Sequence, residues 1–126
     1  MSNSLNINDA KSIAPFRGLG VLEVAILKVI PNLTTEFEDA FAKAEKIIAS
    51  MKGYLSHQLQ KCIEDPAKYI LLVNWTDLEA HTVGFRGSEE YQELKALLHH
   101  FYDPFPTVEH FAEVDRQRNK EQGLKN

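Results

Sequence analysis

The sequence predicts an α+β fold of the ferredoxin-like type, βαββαβ, with an antiparallel sheet that carries helices on one face. Three observations predict it. Strand-like and helical segments follow one another in the order strand, helix, strand, strand, helix, strand. The stretch KYILLVNW at 68–75 reads as a buried strand and runs directly into a helix-start signal, Thr76 with Glu79 three places on. Two strands, 21–30 and 68–75, are apolar on both faces, which calls for a cover on each side of the sheet.

In chain order, residues 1–19 are rich in Asn, Ser, Asp and Gly and are expected to form a flexible arm outside the domain, which is placed at 20–114. In VLEVAILKVI (21–30), Leu22, Val24, Ile26 and Ile30 share one face, and Val21, Ala25, Leu27 and Val29 the other; only Glu23 and Lys28 interrupt. Thr35 with Glu38 offers a capping box for a helix. Its apolar stripe is Phe37, Ala40, Phe41, Ala44, Ile47, Ile48 and Met51, and Gly53 suits its stop. YLSHQLQKCI (54–63) alternates, with Leu55, His57, Leu59 and Ile63 on one face, as in an edge strand. After the strand at 68–75 comes a helix over 77–86, with Leu78, His81 and Phe85 on one stripe. Ser88 caps a further helix with Tyr91, Leu94, Leu97, Leu98 and Phe101 on its apolar side, and DPFP (103–106) ends it. TVEHFAEV (107–114) is the last strand, with Val108, His110, Ala112 and Val114 facing one way, and 115–126 is a polar tail.

Bulk properties narrow the function. The 126 residues are 44% hydrophobic and 25% charged, as in one soluble domain with a single core. A net charge of −4 without a block of Lys or Arg excludes nucleic acid and anionic membrane as main partners. The apolar runs fall short of the roughly 20 residues a membrane span needs, and the polar N-terminus lacks the build of a secretory signal. Cys62 is the single cysteine, so an intrachain disulfide and a cysteine zinc site are excluded, and the cytoplasm is the expected location. Helices can cover only one side of a small sheet. The other side of 21–30 and 68–75 would expose a larger apolar patch than monomers tolerate, so a homodimer is expected.

The stretches YILLVNW (69–75), TDLEAHTVGF (76–85), RGSEEYQELKALLHHFYDPFP (86–106) and VEHF (108–111) resemble the antibiotic biosynthesis monooxygenase family over about residues 19–114. That resemblance implies a dimeric α+β barrel formed through the sheets. It also implies an oxygenase that needs neither metal nor flavin, in which a phenol, quinol or anthrone loses a proton and its enolate passes an electron to O2. A haem-degrading relative of the same fold uses an Asn, a Trp and a His; here Gly84 and Lys95 fall roughly where that Trp and the haem-ligating His would stand.

The candidate catalytic residue is His81, because an imidazole among apolar side chains is either a hydrogen-bonded core residue or a base for a phenolic oxygen. One ring nitrogen is expected on a protein acceptor, the other turned toward a pocket walled partly by Trp75 and Phe85. The candidate substrate-binding residues are Trp75 and Phe85 as flat walls, His57, Arg86 as an anion clamp, and Asn74, which alternation points away from Trp75. His110 poses the same question of facing as His57, and Gly84 to Gly87 reads as a candidate gate. No metal-ligand spacing and no cofactor motif is present. The functions that compete are a cofactor-independent monooxygenase acting on an aromatic substrate with O2, a non-enzymatic dimeric binding module for small molecules, and, third, haem binding or degradation.

Overall fold

The computed structural model describes residues 20–114; the expected arm and tail lie outside them. β1 is Val21–Lys28, α1 Thr34–Ala49, β2 Tyr54–Lys61 and β3 Lys68–Trp75. A π-helix, Ala80–Phe85, precedes α2, Glu89–Leu98, and β4, Thr107–Phe111; short 3-10 turns lie at Pro31–Leu33 and His99–Phe101. The four strands form an antiparallel sheet in the order β2-β3-β1-β4, the expected ferredoxin-like topology. β2 and β4 are its edges and do not meet, so the sheet of one chain stays open.

Strand alternation sorts the side chains. Ala25 and Leu27 of β1 and Tyr69, Leu71, Val73 and Trp75 of β3 are buried in one core with Phe37, Phe41, Ala44 and Ile48 of α1 and Leu94 and Leu98 of α2. On the opposite face, Leu22, Val24, Ile26, Ile70 and Leu72 are only half-buried. The both-faces-apolar reading of β1 and β3 therefore corresponds to one covered face and one open face.

Several local expectations change. Tyr54 pairs with Trp75 and Ser56 with Asn74, so Leu55 is a bulge residue, exposed instead of sharing the inner face with His57 and Leu59. Ile63 lies past the end of β2 and is 94% exposed, and β4 stops at Phe111, short of Ala112 and Val114. The Thr35–Glu38 capping box does not form. α1 instead follows the 3-10 turn that opens with Pro31, and Glu38 accepts from the Tyr69 hydroxyl and pairs with Lys61 Nζ at 2.9 Å. The Thr76–Glu79 box does not form either. The Asp77 carboxylate accepts from the Ala80 N–H at 2.8 Å, while the Thr76 N–H bonds the Gly53 carbonyl. Ser88 caps α2 as expected, accepting from the Tyr91 N–H at 3.1 Å.

Gly53 ties the end of α1 to the start of the π-helix. Its φ is +87°, and a Cβ there would lie 2.5 Å from the Cβ of Ala80. Gly53→Ala is expected to lower stability by about 2 kcal/mol, through both backbone strain and overlap, as read by urea unfolding.

Candidate active site

A carboxyl sits where the inner face of β1 should be apolar. Glu23, 7% exposed, lies opposite Val73 on β3 and opposite His110 on β4. The Trp75 indole N–H donates to Glu23 Oε1 at 3.0 Å, and His81 Nε2 comes within 3.4 Å of the same oxygen. His81 Nδ1 is 2.8 Å from Nε2 of His110. Four residues from four elements thus form one buried polar cluster.

The π-helix puts His81 there. Its widened turn carries the Arg86 N–H to the His81 carbonyl, an i→i+5 bond of 3.0 Å. The His81 ring lies nearly parallel to the Trp75 ring, with centroids 5.4 Å apart, and Phe85 packs on the same indole at 5.8 Å. The change of helical period also breaks the expected stripe: His81 and Phe85 are buried, whereas Leu78 is exposed. Gly87 has a steric role in closing this turn, because a Cβ there would lie 2.7 Å from the Val83 carbonyl oxygen.

A cavity of about 430 Å³ opens between β1 and α2. Glu23, His81, Phe85 and Arg86 line it, together with Tyr91 and Lys95 of α2. Burial pushes the His81 imidazole down to about 3, with Arg86 and His110 adding to the shift, so the ring is neutral near neutral pH. Burial also lowers His110, again with help from Arg86. Glu23 moves upward, because burial outweighs the Trp75 hydrogen bond and the charge of Arg86. All three shifts have burial as their first cause and favour the neutral form of each group.

The model of the family described as antibiotic biosynthesis monooxygenase matches residues 21–97. The chain belongs to the antibiotic biosynthesis monooxygenase family. Among relatives, it is 62% identical over 94 residues to the Bacillus subtilis protein YczJ, covering 75% of this chain and 99% of that one. A Bordetella bronchiseptica structure assigned to the same family matches with a TM-score of 0.73 and 30% identity, over 75% of this chain and 97% of that one. SnoaB of Streptomyces nogalater, a cofactor-independent oxygenase, shares the fold with a TM-score of 0.59 at 24% identity, over 78% of this chain and 94% of its own.

Within this family domain the candidate residues separate. His81, Phe85 and Arg86 come together at the cavity. Trp75 is fully buried beneath His81 and Phe85 and supports the wall without forming it. His57 faces the helices but belongs to a separate cluster, with Nε2 2.8 Å from Glu45 and Nδ1 2.6 Å from the Tyr54 hydroxyl. Asn74 lies on the open face, as alternation requires, and donates to Ser56 Oγ at 2.8 Å. The second nitrogen of His81, expected to face open space, is directed at Glu23, itself part of the cavity wall. Sequence reasoning missed Glu23 and left His110 undecided. The signal for Glu23 was present, since Glu23 and Lys28 alone interrupt a strand that is apolar on both faces. Among the described residues no group of His, Cys, Asp and Glu is arranged to hold a metal, and no helix is long and apolar enough to cross a membrane.

The buried imidazole has a consequence for stability. Its folded value of about 3 lies below the ordinary 6.5, so between those values the unfolded chain binds a proton that the native chain refuses. Stability therefore falls as pH drops from 6.5 toward 3. His110 acts in the same direction, and Glu23, raised from 4.5, acts in the opposite one, because the native state keeps its proton to higher pH. His81→Phe is expected to flatten the dependence below pH 6.5 by up to about one bound proton, measured as unfolding free energy in urea from pH 4 to 7.

Proposed function

We propose that the protein is a cofactor-independent monooxygenase that oxidises an aromatic phenol, quinol or anthrone with O2. The observation that carries this is a largely apolar cavity of about 430 Å³ whose wall includes the polar groups Glu23, His81 and Arg86 together with the flat ring of Phe85. Its size suits a small aromatic molecule. Family membership and the oxygenase activity named for the Streptomyces nogalater protein support the reaction class. In this reading Phe85 stacks on the substrate, Arg86 favours its anion, and His81 acts on the ionising oxygen through the neighbouring carboxyl of Glu23. Deprotonation leaves the bonding pair on the substrate as an enolate, which gives its electrons to O2 as a C–O bond forms. The peroxide takes up a proton, and loss of water leaves a ketone. The chain's own contribution is positioning, proton handling and exclusion of water.

The proposed working form is a homodimer in the cytoplasm, where the single Cys62 stays reduced. A second copy would cover Leu22, Val24, Ile26, Ile70 and Leu72 on the open sheet face. Light scattering at micromolar concentration is expected to give twice the chain mass of 14.3 kDa, and a monomer mass would reject the dimer.

Oxygen consumption by metal-free protein, screened across anthrones, quinols and hydroxynaphthoquinones, tests the activity. His81→Phe, shown intact by circular dichroism, is expected to lose about 10²–10⁴-fold in rate. An intact variant that turns over at the wild-type rate would make His81 structural. Saturable binding of these compounds without oxygen uptake would identify a binding module instead.

A further inference from the structure

We infer that Glu23 is the group that takes the substrate's proton, and that His81 and His110 link its carboxyl to the far side of β4 as a proton-conducting chain. Only the identity of the proton donor rests on the monooxygenase reading; the chain itself rests on geometry. Both protein contacts of the Glu23 carboxyl fall on Oε1, from Trp75 at 3.0 Å and His81 at 3.4 Å. Among the described residues Oε2 has no hydrogen-bond partner, and no fully buried side-chain oxygen or nitrogen there lacks one, so Oε2 is open to the cavity that Glu23 lines. A substrate hydrogen has that oxygen as its acceptor. His81 is poorly suited to the task, because its near end already faces Glu23 and burial makes it a weak base.

From Oε1 the polar groups continue across a 3.4 Å approach to His81 Nε2 that is longer than a formed hydrogen bond. His81 Nδ1 meets His110 Nε2 at 2.8 Å, and His110 is half-buried, with no partner for Nδ1 among the described residues. Two hydrogen arrangements satisfy every link. With Glu23 ionised, both imidazoles carry their hydrogen on Nε2, pointing toward the carboxylate. With Glu23 protonated, both carry it on Nδ1, pointing away. A proton arriving at His110 Nδ1 converts the first into the second by two short transfers, His110 Nε2 to His81 Nδ1 and His81 Nε2 to Glu23 Oε1, and the reverse releases one proton outward. Neither end state contains an imidazolium. The 3.4 Å approach is the loosest link, of the kind that tightens when a site fills. Release of a proton taken up at Oε2 needs a half-turn of the carboxyl that brings the protonated oxygen to His81, with Trp75 Nε1 donating to whichever oxygen then faces it. Besides Glu23, the cavity is lined by Arg86, from the turn after the π-helix, and by Lys95 and His99; Arg86 disfavours an imidazolium at both His81 and His110.

Long-range ¹H–¹⁵N spectra of the uniformly labelled full chain, recorded as pH is lowered, read the position of each ring hydrogen. The expected result for the wild type is a first step in which His81 and His110 change together from the Nε2–H to the Nδ1–H form while both stay neutral. Glu23→Gln is expected to abolish that joint step. Formation of an imidazolium at His110 with His81 unchanged would overturn the chain, as would a joint step that persists in Glu23→Gln or no change in either ring before unfolding. Should the variant fail to fold, the wild-type titration decides alone. With a substrate that the wild type oxidises, intact Glu23→Gln is expected to lose about 10²–10⁴-fold in rate, and a wild-type rate would remove Glu23 as the acceptor. A wild type that consumes no O2 with any substrate rejects the monooxygenase reading and leaves the spectroscopic test standing.

Discussion

A carboxyl buried in the inner face of a sheet has to be matched by donors, and the site is built around meeting that demand. Removing Glu23 from water without partners would cost several kcal/mol. The Trp75 indole N–H meets the demand directly, which also fixes the orientation of the only tryptophan. Because the two residues lie on adjacent central strands, on the same face and displaced along the ladder, the sheet register itself holds this hydrogen bond. The edge strand β4 then sets His110 opposite Glu23, and the segment after β3 lowers His81 onto the indole. Carboxyl, indole and two imidazoles thereby share one enclosed space, where each alters the proton affinity of its neighbours.

The π-helix is the local device that makes the cluster possible. A helix of ordinary period would carry Leu78, His81 and Phe85 along one stripe. The widened turn drops Leu78 out and leaves the two rings stacked on Trp75. Gly53 lets this segment come close to the end of α1, and Gly87 lets the chain pass the Val83 carbonyl before α2 begins. The two glycines therefore act at fixed close approaches. Gly84, whose added Cβ would meet only one atom, at 3.7 Å, has no such constraint.

The division of labour between the sheet faces follows from the same alternation. Helices cover the face that holds Glu23, Trp75 and His110, so chemistry that needs a low dielectric is confined there. Asn74, one residue from Trp75, is on the other face, bonded to Ser56. His57 shares the helix-covered face but is held at the β2 edge by Glu45 and Tyr54, away from the cavity.

By itself the sequence determined the order and class of the elements, the βαββαβ topology, the edge position of β2, the Ser88 cap and the doubly apolar central strands. These follow from short-range periodicity and capping chemistry, which are written along the chain. It also marked His81, Phe85 and Arg86, because unusual side chains beside a strand–helix junction stand out without coordinates. The Thr76 and Thr35 capping boxes, the face that Leu55 was read to share with His57 and Leu59, and the stripe through Leu78 are not what the structure shows. A backbone donor can be met by several nearby oxygens, and one bulge or one widened turn shifts the phase of everything around it. Only the tertiary structure decided that Glu23 is buried and that His110, 87 positions later, lies across from it. That pairing joins the first strand to the last, and such a contact depends on register between distant segments, which no local pattern encodes.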